Sequence, residues 1–105
     1  MQAIPNAQIR SILDFDHGEG RVTFSWFDAN NIHRWLTIEI DGHCSRDMPM
    51  RSGTGVTIAS VLRDRVRLRF TPELATRLEL NDEVEFEGSI SDEAHAHLIQ
   101  LAEYF

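Results

Sequence analysis

The chain has 105 residues, with 17 acidic and 10 basic side chains and a formal charge of −7. That length supports one domain, residues 1–105, and 42% hydrophobic with 26% charged residues excludes general disorder. The negative charge disfavours a phosphate-backbone binder, no apolar run approaches the roughly 18–20 residues that span a bilayer, and one cysteine cannot form an internal disulfide.

Taken in chain order, residues 8–15 are predicted as a first strand on the positions of Ile9, Ile12 and Leu13. Asp16-His17-Gly18-Glu19-Gly20 reads as a turn, because glycine supplies the positive φ that tight connections need. Val22, Phe24 and Trp26 then alternate with Thr23 and Ser25, and Leu36, Ile38 and Ile40 with Trp35, Thr37 and Glu39. Separated by Asp28-Ala29-Asn30-Asn31, these two segments are predicted to form a hairpin. Residues 41–54 show no periodicity and read as one long connection, a length often functional in a compact domain.

Alternation resumes at Val56, Ile58, Ser60 and Leu62. After Arg63-Asp64 it continues with Val66, Leu68 and Phe70 between Arg65, Arg67 and Arg69. Thr71-Pro72-Glu73 starts a short helix: the hydroxyl caps a free N–H, proline suits the first helical position, and glutamate complements the dipole. A strand over 83–90 follows, with Val84, Phe86 and Ile90 on one face. Ser91 caps a last helix whose Leu98, Leu101, Ala102 and Phe105 make an apolar stripe. The expected fold class is α+β. It is a mainly antiparallel sheet of about five to six strands, with a short helix near 72–79 and a C-terminal helix near 92–104 packed on it.

The charge is unevenly distributed along the chain. Residues 1–70 carry eight acids and nine arginines, whereas residues 71–105 carry nine acids and only Arg77. The arginine row at Arg63, Arg65, Arg67 and Arg69 and the acidic row at Glu83, Glu85 and Glu87 pair as a ladder if their strands are neighbours. Otherwise each row is a binding surface. Trp35 lies opposite Leu36, Ile38 and Ile40, so it is either an interface anchor or covered by a helix. Met48 and Met50 bring adaptable apolar side chains to the long connection, as a binding surface or folded back on the core.

Catalytic and metal motifs are incomplete. Asp14-x-Asp16-x-Gly18 lacks the glycine and the closing glutamate of a calcium loop. His43 and Cys44 are sequence neighbours whose side chains diverge in extended backbone, and His95 and His97 stand about 200° apart around a helix. The chain is therefore read as a non-enzymatic protein without cofactor or metal. The first ten residues lack the pattern of a secretory signal, so a cytoplasmic location is expected.

Three stretches in order carry a family resemblance: Trp35-Leu36-Thr37-Ile38-Glu39-Ile40-Asp41, Ser52-Gly53-Thr54-Gly55, and Leu62-Arg63-Asp64-Arg65-Val66-Arg67-Leu68. With Ala75, Leu78, the Val84-Glu85-Phe86 strand and the closing Tyr104-Phe105, they resemble the immunity protein 10 family of bacterial polymorphic-toxin systems. The resemblance spans roughly the last 70 residues. It implies a small α+β protein that binds and neutralises a cognate toxin domain, without enzymatic activity. An acidic chain fits a basic toxin, since complementary charge speeds encounter.

The residues expected to meet that partner are Asp82, Asp92 and Glu93, then Glu83, Glu85 and Glu87 in so far as the arginines leave them free, with Trp35, Met48 and Met50. No nucleic acid or membrane is expected as a partner, and the chain acts as a monomer or homodimer. A small acidic secretion chaperone for one effector is the alternative, and it would hold an extended segment, commonly as a dimer.

Overall fold

The computed structural model describes residues 1–47 and 51–105. Eight strands form one sheet: β1 (Gln2–Asp14), β2 (Glu19–Phe27), β3 (His33–Glu39), β4 (Cys44–Arg46), β5 (Arg51–Gly53), β6 (Val56–Val61), β7 (Arg65–Phe70) and β8 (Glu83–Ile90). Helix α1 (Pro72–Leu78) lies between β7 and β8, and helix α2 (Asp92–Leu101) follows β8. The sheet order is β5-β4-β3-β2-β1-β8-β7-β6. Two antiparallel meanders, β1 to β5 and β6 to β8, are joined by the parallel pairing of β1 with β8.

This corrects the expected sheet of five to six strands. Residues 41–54 hold two strands, β4 and β5, instead of a connection without structure. Each has three residues, too short to display an alternation, and only cross-strand pairing identifies them. The first strand also begins at Gln2 and runs through Pro5, with a bulge between Ile4 and Ala7 where Asn6 takes φ 57°. That bulge breaks the period that would have marked residues 2–7 as strand. The last helix ends at Leu101 and turns through residues 102–104.

The short link between β5 and β6 forces the sheet to curl. These are its two outer strands, which in a flat eight-stranded sheet would lie roughly 33 Å apart. Only Thr54 and Gly55 connect them, and three Cα–Cα steps reach at most about 11 Å. The sheet therefore bends into a half-barrel. Helix α1 bridges the gap, touching β5 near one edge and β7 near the other.

The concave face carries Ile9, Val22, Phe24, Leu36, Ile38, Leu68, Val84 and Phe86, all fully buried. Leu74 and Leu78 of α1 and Leu98 and Leu101 of α2 fill it. Phe86 is the hub of the aromatic packing, 4.7 Å from Phe24 and 5.4 Å from Trp26 between ring centres. Both helices begin as their sequences dictate: Thr71 Oγ1 accepts from the Leu74 N–H and Ser91 Oγ from the Ala94 N–H. Gly88 lies at the β1–β8 junction, opposite Ala7 in register. Its φ of 158°, and the Ala7 backbone against the place a Cβ would occupy, admit no other residue without displacement.

Candidate partner-binding surface

Helix α2 lies along one end of the sheet and ties its turns together. His97 stacks edge-on against Phe15 in the β1–β2 turn at 5.7 Å, and its Nδ1 is 2.6 Å from Ser11 Oγ. The Phe105 ring lies against Gly42 in the β3–β4 turn. Arg63 of the β6–β7 turn donates to Asp92 at 2.7 Å, and the neighbouring Asp64 carbonyl accepts from the Gly88 N–H. Half-buried His97 is thus part of the packing that docks α2, a role its helical spacing from His95 did not signal.

These contacts segregate the charge. The α2 end gathers ten acids: Asp14, Asp16 and Glu19 from the first turn; Glu39 and Asp41 from the second; Asp64 and Glu87 beside the third; and Asp92, Glu93 and Glu103 from α2 and its C-terminal turn. Only Arg21, Arg63 and Arg65 join them, so this end alone accounts for −7. The other seven acids and seven arginines cancel. Among the described residues, three of the ten acids form ion pairs: Asp14 with His17, Asp64 with Arg65, and Asp92 with Arg63.

The expected partner-binding residues are divided by the fold. Asp82 and the Asp92–Glu93 pair sit at opposite ends of β8, whose eight residues at about 3.3 Å each hold them roughly 25 Å apart. They cannot form one small epitope. Glu87, Asp92 and Glu93 belong to the acidic end, and Asp82 is exposed at the other. Glu83 and Glu85 face the arginine strand: Arg67 lies 3.5 Å from Glu83 and 3.3 Å from Glu85, and Arg69 lies 3.7 Å from Glu83. The ladder therefore forms. Glu87 stands opposite Arg65 in register without pairing to it, because Arg65 turns toward Asp64.

Trp35 is 40% exposed on the convex face, opposite the core that the helices fill. His33 lies 6.0 Å from it and Phe27, itself 63% exposed, lies 5.2 Å from His33. Phe27 was legible as an outward residue, since it shares parity with Thr23 and Ser25. Met48 and Met50 lie outside the described residues.

The residue that sequence reasoning missed is Asp47, a buried carboxylate. It accepts from Arg34 at 3.2 Å, from the Trp35 N–H at 3.3 Å and from Arg46 at 3.4 Å. Arg46 in turn donates to the Leu78 carbonyl at 2.6 Å, closing the C-terminal end of α1, and stacks over Trp26 at 5.6 Å. Arg34 also donates to Asp28 at 3.0 Å. The Ile32 N–H, then Arg34 and the Asn30 N–H, hold the Asp28 carboxyl below the ordinary carboxylate range. Nothing in the local pattern around Asp47 marks it as buried. Its partners come from β3 and β4, which pair only in the fold.

Cys44 is fully buried on the concave face, and burial pushes its thiol up to about 12. It is a core residue and a poor nucleophile at neutral pH. Among the described residues no group of three or more His, Cys, Asp or Glu side chains is placed to hold a metal ion. No helix among them is long and apolar enough to cross a membrane. Compared with known protein families, curated proteins and solved structures, the chain matches none.

Proposed function

We propose that this chain is an immunity protein that binds and neutralises a basic toxin domain in the cytoplasm, without catalysis of its own. The observation that carries the reading is the segregation of the whole net charge to the α2 end, where seven of ten acids lack an ion pair among the described residues. A concentrated negative field steers a basic partner into encounter and rejects partners of like charge. The resemblance of the last 70 residues to the immunity protein 10 family supports the same role. Asp16, Glu19, Glu39, Glu87 and Glu93 are the residues assigned to contact, and Asp92 joins them on release of exposed Arg63.

The test is co-expression with the product of the adjacent upstream gene, scored for growth rescue and co-purification. A one-to-one complex that restores growth is expected. Reversal of Glu19, Glu39 and Glu93 to lysine should slow association about tenfold or more at low salt and flatten its salt dependence. Reversal of Asp82, at the other end of β8, should leave the rate within about twofold. Equal effects of the two reversals would overturn the surface assignment. Binding without inhibition, through an extended segment of the partner, would replace the immunity reading with that of a secretion chaperone.

A further inference from the structure

Four of the five histidines stand at the α2 end: His17 in the β1–β2 turn, His43 in the β3–β4 turn, and His95 and His97 on α2. Only His33, at the start of β3, lies at the other end. The four come from three separate segments, and the packing that gathers the acids of those segments gathers the histidines with them. Histidine changes charge between about pH 5 and 8, whereas aspartate and glutamate remain ionised above about pH 5.5. The charge of −7 at this end counts its histidines as neutral, and four added protons reduce it to −3. The rest of the molecule gains only the charge of His33.

Each histidine is accessible to protons and has acids beside it. His17 is exposed, and its Nδ1 lies 2.7 Å from Asp14 Oδ2. Half-buried His43 donates its N–H to Asp41 Oδ1 at 2.9 Å, and its carbonyl accepts from the Glu39 N–H. Glu39 and Asp41 share a depression with Glu19 and Arg21, so one cation stands among three carboxylates there. On α2, His95 follows Asp92 by three positions and His97 follows Glu93 by four, which places each on the same face as an acid of the first turn. Arg63 already pairs with Asp92. Helix α2 packs on β1, β2 and β6. The charged residues of these strands are Arg10 and Asp14 on β1 and Glu19 and Arg21 on β2, and β6 carries none. Ser11 and Phe15 meet His97 directly.

We infer that the α2 end is a proton-graded docking surface, on which protonation of His17, His43, His95 and His97 weakens the hold on a basic partner. Protons and a basic partner are competing cations on one surface, so each lowers the affinity for the other. The inference deepens the proposed function and rests on its assignment of the α2 end as the contact surface. Because the histidines lie among the acids and not inside an apolar pocket, the response is a graded loss of field and not a change of fold. His97 also docks α2 through Ser11 and Phe15, so its part is kept separate from that of the other three.

The experiment is a titration of the full chain, isotopically labelled, with an oligolysine peptide at low salt, at about pH 7.5 and about pH 5.5. Amide shifts and histidine ring resonances are followed. Lysine stays charged over this range, so a change in affinity reports the protein alone. Binding at the α2 end should weaken about tenfold or more at the lower pH. The rings of His17, His43 and His95 should titrate at lower pH with the peptide bound than without it, a result that needs no variant. In the triple variant His17→Gln, His43→Gln and His95→Gln the loss should shrink to about twofold. Affinity independent of pH in the parent chain, or a full loss retained in the triple variant, would overturn the inference. Collapse of the native amide pattern at the lower pH would overturn it as well, by making the effect one of unfolding. The assay contains no toxin: binding independent of pH alongside growth rescue removes only this inference, and graded binding without rescue removes only the immunity reading.

Discussion

The α2 end and the region around Asp47 use the same residue types to opposite effect. Around Asp47, carboxylates and arginines interlock: Asp28, Arg34, Asp47 and Arg46 form a continuous chain that ends on the α1 carbonyls. At the α2 end most carboxylates point into solvent, with no cation paired to them among the described residues. The difference is one of burial and connectivity. A carboxylate at 5% exposure must be paired to be tolerated, and once paired it fixes the strands that supply its partners. A solvated carboxylate adds little to stability, and its field remains available to an incoming partner. In this molecule the interlocked carboxylates around Asp47 and the unpaired carboxylates of the α2 end are separated in space.

That contrast breaks most readily at Asp47. Replacing it by alanine leaves Arg34 and Arg46 without their shared partner and should cost about 3 kcal/mol, read as a lowered midpoint of denaturant unfolding. A loss below about 1 kcal/mol would mean that Asp47 is no more structural than a surface acid. The ladder between β7 and β8 is an intermediate case. Glu85→Gln removes the 3.3 Å contact to half-exposed Arg67 and should cost only about 0.2–1 kcal/mol in the same assay.

Acid titration sharpens the comparison without a partner. Asp28 has a lowered carboxyl pKa in the fold, so its contribution to stability is fully present above the unfolded value of about 3.9. It is lost as the pH falls through the folded value. Stability measured against pH should therefore fall at the acid end in the parent chain, and fall less steeply in Asp28→Asn. An unchanged acid limb would remove Asp28 from the stabilising set. The smallest effect is expected at the α2 end: Glu19→Gln with Glu93→Gln should change stability by no more than about 0.5 kcal/mol, with any change a gain from reduced repulsion. A clear loss would show that these acids also hold the fold.

The strands with four or more alternating positions, and both helix starts, were legible in the amino-acid order alone. Period-two burial of Val22, Phe24 and Trp26, or of Val66, Leu68 and Phe70, follows from which side chains leave water. The capping residues Thr71 and Ser91 act within three residues of themselves. The arginine–glutamate ladder was legible as a possibility, because both rows were visible and only their adjacency was open. The three-residue strands β4 and β5 were not, since a strand that short is defined by its neighbours. The bulged start of β1 was hidden for a related reason: Asn6 shifts the period midway.

The candidate site was legible only in its sign. Counting along the chain places the acidity in residues 71–105, but β8 carries Asp82 to one end of the sheet and Asp92 to the other. The acids of the β1–β2 and β3–β4 turns, which looked unremarkable in a near-neutral stretch, join α2 through Phe15 and Gly42. Local physical chemistry decided which residues face the core, where the helices begin, and that the chain carries −7. The tertiary structure decided where that charge acts. The parallel β1–β8 pairing and the curl imposed by the two-residue β5–β6 link set which turns share an end of the sheet, and electrostatic fields add over distance in space, not in sequence.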